Sequence, residues 1–321
     1  MPHFKTFAFH RKWTTFDALG MTSLTVMLVW LVFALPYASG YADHRKSLAT
    51  WLMNGWADLT WQHGMLAMPL VIFLSYKKRN QLNNTPSRSS IWGLLICIVA
   101  LFLFWTGYRG NFYYLGYASL HLLVLGAIAW IYGWKHVRIL IFPIFMLGFA
   151  WPFLFMEDHV AFKLRFLMVS LTEHTLNLLH IPTIQDGTRL VSAATEKHNQ
   201  GEWFNMNVDG PCSGLRSLFA LMMVSALFAY FRQRTWWRRL ILFSLSIPLA
   251  IVVNAVRILL LTFAAILFGE RFALGQQDDY TSNFHILTGL FVFIVSLLLL
   301  CAAEKLLNRL FKTERPLSSV Q

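Results

Sequence analysis

Charged residues and cysteines are both scarce in this sequence, and each shortage excludes a class of protein. Only 13% of the 321 residues are charged, whereas a soluble domain averages about 25%. Hydrophobic residues make up 57% of the chain, and its mean hydropathy is +0.52. This composition excludes a soluble globular domain and predicts a polytopic membrane protein.

The three cysteines are too few for a disulfide scaffold. Cys97 and Cys301 lie within apolar runs, where a thiol behaves as a small hydrophobic side chain. Cys212 instead lies in a glycine- and proline-containing turn before an apolar run, at an aqueous edge. Neither a His-Glu-x-x-His pattern nor a Cys-x-x-Cys pair occurs, so we expect no metal and no other cofactor.

Apolar runs divide the chain into about eight segments that suit transmembrane helices, which need about 20 residues each. The fold class is therefore an all-α polytopic membrane protein. The expected spans are Leu19–Tyr37, Gly64–Tyr76 (starting before His63), Ile91–Trp105, Phe112–Trp134, Ile139–Phe155, Leu215–Phe231, Leu240–Phe268 and Phe284–Ala303. A polar, tryptophan-bearing loop is expected over 43–62, and a tight turn over Gly107–Gly110.

Two segments between the fifth and sixth spans differ from the rest. Over 157–181, apolar residues recur at helical spacing among charged ones (Val160, Leu164, Leu167, Leu171 and Leu178), which predicts an amphipathic helix in the interface plane. The stretches 188–192 and 202–208 alternate in polarity around a turn at 197–201, which predicts a small β-hairpin. Together they form a small extracytoplasmic cap.

Positive charges give the orientation. With the N-terminus in the cytoplasm, 17 of the 27 lysines and arginines are cytoplasmic, and 12 of the 15 acidic residues lie outside or at the outer edge. This agrees with the positive-inside rule and places both termini inside. The basic residues are scattered over short loops, so the net charge of +12 does not indicate a nucleic-acid partner.

Three polar residues on different spans reach one level of the outer leaflet. Cys212 begins the sixth span and His285 the eighth, both from the outside. Arg257 lies 17 residues after Leu240, about 25 Å along its helix at 1.5 Å per residue. Consecutive helices joined by short loops are usually neighbours, so we expect the three side chains to meet.

These residue types fit cysteine nucleophile chemistry. A helix N-terminus and a nearby cation favour the thiolate of Cys212, His285 would act as base and then acid, and Arg257 would stabilise an oxyanion or bind a carboxylate. Arg216, one turn after Cys212, would support the thiolate or extend to the lipid headgroups. Ser213 and Asn254 would orient these groups. The alternative is a transporter or channel with a polar outer vestibule, although no repeat symmetry is evident.

The string Pro211-Cys-Ser-Gly-Leu-Arg-Ser-Leu218, followed by Asn254-Ala-Val-Arg257 and then His285, resembles the exosortase/archaeosortase family. The resemblance covers about 209–290, and Ile286 stands where some members carry a second histidine. It implies an inner-membrane cysteine transpeptidase or protease with Cys212 as nucleophile, Arg257 as stabilising arginine and His285 as acid/base. The implied partners are exported proteins with a PEP-CTERM-like C-terminal signal (motif, transmembrane helix and basic tail), membrane lipids and a lipid- or glycan-linked acceptor.

The expected organisation has four parts. Residues 1–156 form a five-span membrane region, and 157–211 form the extracytoplasmic amphipathic helix and cap. Residues 212–303 form the catalytic three-span region, and 304–321 a cytoplasmic basic tail.

Overall fold

The computed structural model describes residues 15–40, 44–58, 60–152, 160–196, 198–208, 214–275 and 282–311. Within these ranges the chain is mostly helical, with one small three-stranded sheet. It divides into two compact units, Met1–Phe153 and Leu154–Gln321. The all-α membrane architecture with a small β element is therefore confirmed in outline.

The first unit contains seven α-helices among its described residues, followed by a short 3₁₀ turn at Gly148–Ala150. The helices are α1 (Thr15–Phe33), α2 (Leu48–Ala57), α3 (His63–Lys77), α4 (Arg79–Asn83), α5 (Ile91–Gly110), α6 (Tyr113–Ile131) and α7 (Trp134–Leu147).

Helices α5 and α6 pack closely because glycines leave room for the opposing backbone. A Cβ added to Gly93 would lie 2.6 Å from the carbonyl carbon of Ala129. One at Gly126 would lie 2.9 Å from the Sγ of Cys97, which is buried in this seam. Small residues at a helix interface are the usual device for close packing in membranes.

Three local expectations for the first unit are wrong. The polar loop expected over 43–62 contains helix α2, which Ser47 caps by accepting the Thr50 N–H, and Trp61 in the same stretch is buried. Helix α3 begins at His63, not before it. Helix α5 continues through the expected Gly107–Gly110 turn and ends at Asn111, whose left-handed φ of 63° reverses the chain.

The second unit contains five α-helices and the sheet among its described residues. The helices are α8 (Phe162–Leu178), α9 (Leu215–Arg232), α10 (Trp236–Phe268), α11 (Glu270–Leu274) and α12 (Asn283–Leu310). The strands are β1 (Thr183–Asp186), β2 (Arg189–Ser192) and β3 (Asn205–Asn207).

The sheet is antiparallel with the order β1-β2-β3. The predicted hairpin is β2 with β3, where Leu190 pairs with Met206. Sequence reasoning missed β1, because four polar and apolar residues without a long alternating pattern give a weak signal. The side chain of Asn177 bonds both backbone groups of Thr183 on the outer edge of β1, donating to its oxygen (3.0 Å) and accepting from its nitrogen (2.8 Å). Glu270 accepts the backbone N–H of Asn205 in β3.

Helix α8 confirms the predicted helix, and Leu164 of the predicted apolar face packs against the core, but most of the residues that the helix buries lie on another face. The residues that it buries are Met168, Val169, Thr172 and Leu176, and the apolar ones pack with the sheet and with Ile258, Leu261, Ala264 and Ala265 of α10. Leu167, Leu171 and Leu178, part of the predicted apolar face, are exposed. The helix therefore has one apolar face in the cap core and another on the surface, which a single-face periodicity argument does not separate.

The three long helices α9, α10 and α12 form the frame of the second unit. Helix α10 has 33 residues, about 50 Å at 1.5 Å per residue, and its last turns form the core beneath the cap.

At the far end of α12, the buried Glu304 carboxylate accepts from Asn308 (2.7 Å) and Gln233 (3.4 Å) and pairs with Arg232 (3.5 Å). Glu304 follows His285 by 19 residues, about 28 Å, close to the thickness of a hydrocarbon core.

Five of the described helices are long and apolar enough to cross a membrane: α5, α6, α9, α10 and α12. The other three predicted spans correspond to α1, α3 and α7. Helices α3 and α7 have only 15 and 14 residues. The structure thus supports a multi-pass membrane protein, and the number eight stays a prediction.

Candidate active site

Arg257 and His285 meet across α10 and α12. The Nη2 of Arg257 lies 2.9 Å from the Nε2 of His285 and donates a second hydrogen bond to the His285 carbonyl oxygen at 3.3 Å. A guanidinium group has donors only, so His285 accepts through Nε2 in this arrangement and carries its proton on Nδ1. The predicted encounter of these two residues is therefore present.

The first turn of α12 holds His285 in place. Ser282 is the N-cap, and its hydroxyl accepts the backbone N–H groups of Phe284 (3.1 Å) and His285 (3.4 Å). These groups have no partner within the helix, so a serine cap defines where the helix begins. The Thr288 hydroxyl also donates to the His285 carbonyl at 2.9 Å. His285 itself is only 3% exposed.

One helical turn before Arg257, Asn254 contacts the start of α9. Its side chain is 2% exposed, and its Nδ2 donates to the Sδ of Met168 at 2.8 Å. A Cβ added to Gly214 would lie 3.1 Å from that same amide nitrogen and 2.5 Å from the Cε of Met168. Gly214 also has a φ of 73°, which favours glycine. The residue directly before α9 therefore packs against Asn254 only because it lacks a side chain.

Of the other predicted site residues, Arg216 is described by the structure, and Cys212 and Ser213 are not. Arg216 is exposed in the first turn of α9, beside the fully buried Leu215. It belongs to neither the Arg257–His285 contact nor the Asn254–Met168 contact. Cys212 and Ser213 lie outside the described residues.

Four residues near this site were not identified from the sequence: Met168, Ser282, Thr288 and Gly289. Ser282 had a usable signal, because a serine three residues before His285 at the start of an apolar run is typical of an N-cap. Met168 and Gly289 had none, since their importance depends on which side of each helix faces the site. Within the described ranges, no three His, Cys, Asp or Glu side chains are grouped as metal ligands.

The long apolar helices and the polar contact between two of them define a multi-pass helical membrane protein with a polar site at one end of a three-helix frame. The family model described as transmembrane exosortase (Exosortase_EpsH) matches residues 51–302, and the chain therefore belongs to the transmembrane exosortase family. This is a family of membrane cysteine peptidases and transpeptidases. No curated protein and no solved structure matches the chain.

Proposed function

We propose that this protein is a membrane cysteine peptidase or transpeptidase that cleaves a C-terminal, PEP-CTERM-like sorting signal from exported proteins. The observation that carries the proposal is the 2.9 Å contact between Arg257 and His285. Those two residues are the later members of the motif series that begins at Cys212. The family match supports the same reading.

Cys212 enters the proposal through its distance along the chain. It precedes Gly214 by two residues, and two residues of backbone span at most about 7 Å. Gly214 in turn packs against Asn254, one turn before Arg257. This proximity supports a thiol that works beside the Arg257–His285 pair, at the N-terminal end of α9, where the helix dipole favours a thiolate.

The proposed reaction has two halves. The Cys212 thiolate attacks the carbonyl carbon of the scissile peptide bond, and Arg257 donates to the oxygen that becomes negative. His285 takes the thiol proton and delivers it to the leaving amine as the C–N bond breaks, which releases the C-terminal helix and its basic tail. An amine, lipid- or glycan-linked, or water then attacks the thioester and regenerates the thiol.

The resting contact adds a requirement to this sequence of steps. In the structure Arg257 donates a hydrogen bond to the Nε2 lone pair of His285. The same nitrogen would accept the thiol proton. Arg257 must therefore turn from the imidazole toward the substrate oxygen before His285 acts as a base. Substrate binding and activation of the base are thereby coupled in one movement.

The proposed placement is the inner membrane, with eight spans, both termini in the cytoplasm and the site outside. Arg257 follows Trp236, the first residue of α10, by 21 residues, which is about 32 Å of helix. Helix α10 would therefore cross roughly one hydrocarbon core before it reaches the site. The exposed apolar face of α8, which includes Phe166 (49% exposed) and Leu167, supports contact with lipid at that outer surface. The cap would then gather the substrate beside Cys212.

Replacement of Cys212 by alanine or serine tests the proposal. A reporter is an exported protein with a C-terminal sorting signal from the same organism, carrying an epitope after its basic tail. With the native enzyme the reporter should be separated from the epitope, which leaves on the C-terminal fragment, and with either variant full-length reporter should stay in the membrane. A membrane-impermeant thiol reagent applied to intact cells should label Cys212 and block processing. Normal processing by the alanine variant contradicts the proposal, whereas substrate-dependent protection of residues along a pore would favour a transporter.

A further inference from the structure

We infer that Gly289 is a positioning residue for the reaction, because the space of its missing side chain holds the guanidinium group of Arg257. This inference rests on the proposed function. Gly289 lies four residues after His285 in α12, so the two lie one above the other on the same side of the helix. One turn after the imidazole, the same side of α12 therefore has no side chain, and this gap at Gly289 is called the notch.

Distances show how closely the notch is filled. A Cβ built on Gly289 would lie 3.1 Å from the Nη2 of Arg257, 3.3 Å from its Cζ and 3.7 Å from its Nε. The Nη2 atom is the same one that contacts the His285 ring and carbonyl. An ordinary contact between a methyl group and these atoms is about 3.5–4.0 Å, so even one added carbon displaces the guanidinium by several tenths of an ångström.

The backbone of α12 also takes part. The His285 carbonyl accepts from Arg257 and from the Thr288 hydroxyl. Arg257 reaches this carbonyl from the space beside Gly289 that a side chain would fill. A side chain at this position would displace the whole guanidinium from α12, so that Nη2, once turned away from His285, would no longer reach the place of the substrate oxygen.

If Gly289 served only the stability of the fold, its replacement by alanine would lower the melting temperature together with the rate. Alanine is the better residue in a helix interior, and glycine is among the worst. Gly289→Ala should therefore leave the melting temperature unchanged or higher, while it lowers the rate. Catalytic geometry is sensitive to displacements of this size, since a misplacement of 1 Å costs about 100-fold.

The test compares Gly289→Ala and Gly289→Val with Ala302→Val, which adds the same kind of bulk to an exposed position of α12. Purified enzyme in liposomes is assayed with the sorting-signal reporter. We expect kcat to fall about 10-fold for alanine and about 100-fold for valine, with KM nearly constant and the control at the native rate. Native kcat in both variants overturns the inference, as does a loss that parallels a lower melting temperature or that appears only in KM.

A second readout needs no substrate. In ¹⁵N-histidine-labelled protein in lipid bilayers, the His285 ring signals are assigned by their loss in His285→Asn. Gly289→Val should shift the Nε2 signal, because the Arg257 contact is disturbed, and Ala302→Val should leave it in place. An unshifted signal in Gly289→Val overturns the inference. If the native enzyme leaves the reporter uncut, the proposed function fails, and this spectrum still decides whether Gly289 positions Arg257.

Discussion

Replacement of Arg257 is the perturbation whose effect follows most directly from the site. In Arg257→Ala, the donor at 2.9 Å from His285 and at 3.3 Å from its carbonyl is lost. Removal of one oxyanion donor typically lowers kcat about 10²- to 10³-fold, or about 3–4 kcal/mol of transition-state stabilisation. Arg257→Lys keeps a charge but lacks the planar fork, so we expect a smaller loss.

The assay is the initial rate of reporter cleavage by purified enzyme in liposomes, measured over a range of reporter concentrations. Because Arg257 is proposed to act on charge that develops in the transition state, kcat should fall while KM changes little. Arg271→Ala is the control, since it removes an exposed arginine from the neighbouring helix α11. A rate for Arg257→Ala within a few-fold of native, or a change confined to KM, would exclude Arg257 as the oxyanion donor.

Three further predictions concern packing, the polar cluster and the membrane. Gly93→Ala should lower the free energy of unfolding by about 1–3 kcal/mol through overpacking of the α5–α6 seam. Gly148→Ala is the control, because a Cβ there would lie 3.9 Å from the His121 ring, and equal melting temperatures for the two variants would contradict the prediction. Glu304→Ala should cost about 1–3 kcal/mol of unfolding free energy by removing the acceptor that Asn308 and Gln233 share. Glu304→Gln, which keeps an acceptor, should cost less, and an equal loss in thermal unfolding would count against the hydrogen-bond account. A nitroxide at Phe166→Cys, in a chain otherwise without cysteine, should be relaxed more by oxygen than by a water-soluble nickel complex, and the reverse order would exclude lipid contact.

The sequence predicted the depth of the site better than its lateral arrangement. Counting residues along α10 brought Arg257 to the level of His285, and the structure has the two in contact. Depth along a helix follows from a fixed rise per residue. Rotation about the helix axis is set by packing, so the sequence left open whether Arg216 supports the thiolate or extends to the lipid headgroups, and its supporting role stays a prediction.

Long-range packing explains most of what the sequence did not reveal. Met168 meets Asn254 from 86 positions away in the chain, and neither residue carries a signal of the other. The polar stretch that predicted a loop instead forms helix α2. It does so because Ser47 caps the helix and α6 packs beside it. Strand β1 depends on Asn177, which pairs with its outer edge. In each case a tertiary contact overrides a weak local preference.

Capture of the acyl group would show whether Cys212 forms a thioester with the substrate. A Cys212 thioester should react with hydroxylamine, because the nitrogen attacks the acyl carbon and the thiolate leaves. Purified enzyme and reporter are therefore incubated with hydroxylamine, and the new C-terminus of the cleaved reporter is identified by mass spectrometry. We expect a C-terminal hydroxamate with native enzyme and no cleavage with Cys212→Ala. Cleavage by Cys212→Ala, or a plain carboxylate at every hydroxylamine concentration, would contradict this expectation.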